Sequence, residues 1–316
     1  MTTRPAYRDL PDGCAWDYLD AELGSLERLT ADRVVDATRL VRRGARFSLD
    51  LPLDVPSPPF FGREAMRHEI FELFGSVLDD RLDNFFPQAS TQWDGFGHFG
   101  HSTRGFFGSR TAEQVRGDRG VLAWSEHGIV GRGVLLDVAR HLPIAGDEPF
   151  VVTPELLDET AAAQGVEVRD GDVCCVRVGW LSWYRTLDAA GRRQVAEASR
   201  SFVDLRTPGL GPGPAIAEWL WDHGVAAVAV DNPGVEPFPI TAALPPGGGI
   251  DDSVHTRVLA LLGIPLGEFF DFDALADDCA QHRSYEFCFT SAPLRIPGGI
   301  GSPPNALAIR LSLIHI

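Results

Sequence analysis

Hydrophobic positions along this chain fall into short unbroken runs separated by stretches of helical period. Val134-Leu-Leu-Asp-Val, Asp172 to Val178 and Val225-Ala-Ala-Val-Ala-Val are compact, rich in valine and too short for buried helices, so they read as strands covered on both faces. Between them, Thr153-Pro-Glu opens a helix with a capping residue and proline at the first position, running to about Gly165. Residues 187–204 predict a second, amphipathic helix, Ala215 to His223 a third and Ser253 to Leu262 a fourth, while Ser284 to Thr290 alternates as a strand does. Thr30 to Val41 fits a short helix or a strand. Gly209-Leu-Gly-Pro-Gly-Pro is a hard break, and Leu51 to Pro59, with four prolines, reads as a loop at the mouth of the active site. Alternating strands and helices predict an α/β fold in which a mixed sheet carries helices outside.

No linker divides the chain. The reading is a surface segment over residues 1–29, one catalytic domain over 30–310, and a tail over 311–316 that is either a natural extension or not native; His315 in that tail is assigned no role. The 316 residues are 44% hydrophobic and 9% aromatic, enough for a substantial core. A formal net charge of −16 disfavours nucleic acid and anionic membrane as partners, since both require a basic footprint. Five cysteines, with no CxxC spacing, support neither a zinc ribbon nor a disulfide framework, and adjacent Cys174 and Cys175 read as small core residues. No apolar signal core opens the chain and no run reaches a membrane span, so a cytoplasmic location is expected.

The candidate chemistry lies in Gln88-Ala-Ser-Thr-Gln-Trp-Asp-Gly-Phe-Gly-His-Phe-Gly-His101. Asp94, His98 and His101 offer the carboxylate and imidazole ligands that a divalent ion of the zinc or manganese kind takes, and glycines allow close approach. The same stretch also reads as a glycine-rich loop whose polar side chains are satisfied locally. Trp93, Phe96 and Phe99, with Phe106 and Phe107, are candidates for a pocket around a flat substrate or for ordinary core packing. Two further groups can converge on this segment. His255 lies in the first turn of its helix behind Asp252 and Ser253, and Glu268 sits among apolar residues where an unpaired carboxylate is costly. There is no GxSxG elbow, no phosphate-binding P-loop and no intact GxGxxG, and no organic cofactor is expected.

Gln88 to His98 resembles the hallmark His-x-Gly-Thr-His-x-Asp-x-Pro-x-His of the cyclase and kynurenine-formamidase-like family of metal-dependent hydrolases, isatin hydrolases among them. Its spacing matches over eleven positions, and Thr91, Asp94 and His98 match in identity. Gly131-Arg-Gly-Val-Leu-Leu-Asp, Val230-Asp-Asn-Pro and Pro297 to Ile309 are similar to further family segments, so the resemblance covers roughly residues 30–310. It implies a swivelling β/β/α barrel-like fold, a homodimer or homotetramer, and metal ligation by Asp94, His255 and Glu268, with His98 as general acid or base. The departures include Gln88 and Gln92 in place of two histidines and Phe96 in place of proline. A neutral amide oxygen is a weaker ligand than imidazole. One divalent ion, manganese or zinc, is therefore expected, with Gln88, Gln92 and His101 as possible metal or substrate contacts.

The resemblance implies hydrolysis of an amide, lactam or lactone carbonyl in a small cyclic or aromatic substrate, with His98 shuttling the proton. A cyclase or dehydratase of secondary metabolism and a metal-free binding protein of the same fold are the alternatives. On an extended segment Gln92 and Asp94 share a face, because strand faces alternate with period two, and His98 four positions on is expected to reach the same pocket.

Overall fold

The computed structural model describes residues 4–41 and 44–310; the tail over 311–316 and its His315 lie outside the described residues. Among the described residues, nine strands form one curled mixed sheet. In chain order they are β1 (Ala45–Ser48), β2 (Gln92–Asp94), β3 (Ile129–Asp137), β4 (Val173–Arg177), β5 (Ala227–Val230), β6 (Leu266–Glu268), β7 (Glu286–Ser291), β8 (Gly301–Ser302) and β9 (Leu307–Arg310). Their spatial order is β1-β9-β7-β3-β4-β5-β6-β2-β8. The central β3-β4-β5-β6 run is parallel, and every other pairing is antiparallel.

The parallel centre explains the unbroken apolar runs. Strands joined by crossover helices are covered on both faces, so both sets of alternating side chains are buried. Val173, Cys174, Cys175 and Val176, and Ala227 to Val230, are all fully buried. The helix Pro154–Gln164 forms as its caps require. The Thr153 side chain accepts the Leu156 N–H, and Gly165 closes the helix in the left-handed conformation at φ 65°. Residues 187–204 give a shorter helix, Ala189–Ala198, beginning where Asp188 accepts the Gly191 N–H. Thr30 to Val41 resolves as the helix Ala31–Thr38.

The first residues do more than lie on the surface. Trp16 donates its indole N–H to Ala260 O at 2.8 Å and the Ala15 N–H bonds Leu261 O at 2.9 Å, fastening this segment to residues 255–261. A hairpin, Arg67–Phe74 with Val77–Asp83, was not anticipated from the sequence; Ile70, Phe74 and Leu78 on it are all more than half exposed. Among the described residues, no helix is long and apolar enough to cross a membrane.

Candidate metal centre

The centre is built where β2 and β6 pair. The register sets Glu268 opposite Gln92 and Leu266 opposite Asp94, so the period-two alternation puts Gln92, Asp94 and Glu268 on one face. Trp93 faces the other way. Its indole N–H donates to Ser291 Oγ at 3.0 Å and its ring packs 5.0 Å from Phe270, so the expectation that Trp93 lines a substrate pocket is corrected: it belongs to the core. Thr91, the matched threonine of the motif, accepts the Leu51 N–H and donates to Phe269 O, both at 2.8 Å, tying the proline-rich loop to the site.

The strand stops at Asp94. His98 comes back through a turn in which its N–H bonds Gly95 O at 2.8 Å, rather than by the extended path anticipated. Its Nε2 lies 3.7 Å from Asp94 Oδ1. His255 begins a π-helix, His255–Leu261, a wide helix form that recurs at functional sites, where an α-helix was expected. His255 Nε2 sits 3.4 Å from Asp94 Oδ2 and 3.3 Å from Glu268 Oε1. Phe99 flanks the cluster with its ring centroid 5.1 Å from that of His255. Phe96 packs instead against Phe107 and Trp124, and His101 turns toward Asp251, 3.8 Å away; neither joins the cluster.

Glu236 is the residue that sequence reading missed. It is buried, its Oε1 accepts the His255 backbone N–H at 2.9 Å, and its Oε2 pairs with His255 Nδ1 at 2.7 Å. The preceding Asn232 shapes its loop: the Asn232 amide donates to Pro208 O at 2.8 Å and to Glu236 O at 3.0 Å. A carboxylate behind a histidine in this way fixes the ring and its tautomer, and presents Nε2 to the centre.

The electrostatics follow from burying three carboxylates around one imidazole. Burial works against the charge of Asp94, but the charge of His98 and the contacts of His255 and Gln88 outweigh it and hold the carboxyl down at about 2. Burial, and then the charge of Asp94, push the Glu268 carboxyl up. Burial also opposes a charge on His255, yet Glu236 and then Asp94 and Glu268 raise it well above its ordinary value. Three acids thus draw a positive charge to this point, and a proton on His255 supplies it unless a cation does.

The donor set fits a divalent ion. Asp94, His98 and His255 each offer a ligand atom, all within 4.8 Å of one another. Among the described residues, Asp94 Oδ2 and Gln92 Oε1 are buried acceptors without a hydrogen-bond partner, which a cation satisfies. His98, expected to carry protons, therefore stands among the donor atoms. The two glutamines place their amides against the acids: Gln88 Nε2 donates to Asp94 Oδ1 at 2.6 Å and Gln92 Nε2 to Glu268 Oε2 at 3.0 Å. Gly301, paired with Asp94, makes room for Gln88, because a Cβ there would stand 2.6 Å from Gln88 Cγ.

No curated protein sequence matches the chain. A solved structure described as a novel cyclase is 29% identical, superposes with a TM-score of 0.76, and is matched over 92% of this chain and 97% of its own. The structure of isatin hydrolase A from Labrenzia aggregata bound to benzyl benzoate is 18% identical with a TM-score of 0.54, covering 88% of this chain and 97% of that one. An isatin hydrolase bound to the product analogue thioisatinate gives 16% and 0.56, covering 88% and 98%; at such identities the likeness is one of fold. The Cyclase family model, described as "putative cyclase", matches residues 47–237, more than half of the chain. With the motif, the curled sheet and the clustered acids and histidines in place, this protein belongs to the cyclase family.

Proposed function

We propose that this protein is a metal-dependent hydrolase that cleaves or opens the carbonyl of an amide, lactam or lactone in a small cyclic or aromatic substrate. The observation that carries the reading is the convergence of Asp94, His98 and His255 donor atoms within 4.8 Å, with Glu236 fixing His255 from behind. Carboxylate and imidazole suit one manganese or zinc ion, held by Asp94, His255 and Glu268. When bound, such an ion polarises a carbonyl and lowers the pKa of water. His98 is the proton carrier because it is the open member of the set: its side chain is 26% exposed, against 8% for His255 and none for Asp94. Phe99 walls the cluster and limits water beside the reacting carbonyl.

The test is a screen of metal-loaded protein against simple lactams, N-formyl anilines and lactones. Turnover is expected to vanish on chelation and return with added metal. His98→Ala is expected to abolish turnover while leaving metal content nearly unchanged. Undiminished turnover after chelation, or in His98→Ala, overturns the assignment. The second reading is a metal-free binding protein, favoured by the Gln88 and Gln92 amides that already donate to Asp94 and Glu268; it predicts protein that takes up no metal.

A further inference from the structure

The turn Phe60–Arg63 places a cation beside this centre that the proposed chemistry leaves unused. Phe60 anchors the turn: it is fully buried, with its ring centroid 5.7 Å from Trp180, 6.1 Å from Tyr184 and 5.8 Å from Phe269. Phe269 is the neighbour of Glu268 in sequence, so the anchor brings the turn to the edge of the cluster. Phe61 is held at φ 58°, a conformation that a bulky residue adopts only when its surroundings impose it, and its N–H donates to Ser199 Oγ at 2.9 Å. The tight turn aims the next side chain, Arg63, back along Phe61, with the guanidinium carbon 5.5 Å from the ring centroid.

The Arg63 Nη1 is buried and, among the described residues, has no hydrogen-bond partner. A buried guanidinium N–H without an acceptor is costly, so a site that keeps one is built for an acceptor that arrives with the ligand. Phe61 stacks on Phe202 at 6.1 Å and 20°, and Phe202, 62% exposed, stacks in turn on Phe238, two residues after Glu236. An aromatic shelf open to solvent therefore runs from the surface to the cation.

We propose that Arg63 and the Phe61–Phe202 shelf form a subsite for the carboxylate of an aromatic acid, which orients the substrate with its anionic end away from the carbonyl to be cleaved. The guanidinium fork matches a planar carboxylate through two parallel hydrogen bonds. It also offsets the repulsion that Asp94, Glu236 and Glu268 exert on any anion. This inference rests on the reading of the Asp94–His255 cluster as the reaction centre, and it makes Arg63 a specificity-determining residue.

The test compares phenylacetate with its neutral isostere phenylacetamide, by calorimetry, on the full chain with metal loaded and with metal stripped. Phenylacetate is expected to bind in both forms, and Arg63→Gln to weaken it about 10- to 100-fold while leaving phenylacetamide unchanged. Arg63→Lys keeps the charge without the fork and is expected to fall between; thermal melting confirms that both variants fold. No phenylacetate binding, or equal binding in Arg63→Gln, overturns the subsite. Binding that disappears with the metal and ignores Arg63 also overturns it, and places the anion on the metal. Arg63-dependent binding in a protein that turns over no lactam, formanilide or lactone upholds the subsite and counts against the hydrolase reading alone.

Discussion

Glu236→Gln tests how the centre is held without removing any ligand. Glu236 accepts two hydrogen bonds from His255, one from the backbone N–H at 2.9 Å and one with Nδ1 at 2.7 Å. Glutamine has the same shape but a single acceptor, so its NH2 must face one of these two donors. Facing the backbone, it orphans a buried N–H. Facing Nδ1, it demands a bare Nδ1, which sends the imidazole proton to Nε2 and removes the lone pair that binds metal. Either arrangement forfeits a charge-assisted hydrogen bond worth about 1.5–3 kcal/mol. The expected result is metal affinity reduced about 10- to 100-fold, the range for such supporting carboxylates. Competition against a chromophoric chelator measures it for zinc and for manganese, and the melting curve separates lost affinity from lost fold. A folded Glu236→Gln protein of unchanged affinity would show that His255 is no ligand or that its tautomer is set elsewhere.

Gln92→His restores an imidazole beside two carboxylates; it is expected to tighten metal binding and to raise metal content toward two ions, and an unchanged content by elemental analysis refutes that. Asp50 is half-buried and accepts the Ala306 N–H at 2.6 Å; burial, outweighing the bonds from Ala306 and Asn305, raises its carboxyl to about 6. Its folded pKa thus lies above the unfolded value of about 3.9, so stability is highest below that value and falls as pH rises to about 6, by at most about 3 kcal/mol. Urea denaturation across this window should show a shallower fall for Asp50→Asn; identical slopes refute the assignment. The expected homo-oligomer, consistent with Ile70, Phe74 and Leu78 standing more than half exposed on the hairpin, is read by light scattering, and a monomer at micromolar concentration refutes it.

What the sequence disclosed is what local physics governs. The helix Pro154–Gln164 announced both of its ends, because Thr153 and Gly165 are local caps. The strands Val173–Arg177 and Ala227–Val230 announced themselves as apolar runs, because both faces are covered. Period two placed Gln92 with Asp94 correctly, and the same rule applied to Trp93 puts it on the opposite face, where it is found. The hairpin Arg67–Asp83 went unread because its apolar positions face solvent and neither run alternates, so they mark no core; the Gly75-Ser76 pair between the runs was its one signal. Glu236 carries no ligand spacing to His255 or Asp94, and only the folded loop brings it there. The one available clue to Glu236 was position, in the loop beyond the carboxyl end of a parallel strand, where α/β sheets place their sites.

The central claim is that Asp94, His255 and Glu268 hold a metal ion beside His98, and metal stoichiometry tests it most directly. Protein stripped by chelation, reloaded with zinc or manganese and freed of excess should retain one ion per chain by elemental analysis. Asp94→Asn and His255→Ala should each abolish that retention while the fold survives by circular dichroism. Wild-type protein that retains no ion, or variants that retain it undiminished, would contradict the account and leave Gln88 and Gln92 as the amides of a binding site without metal.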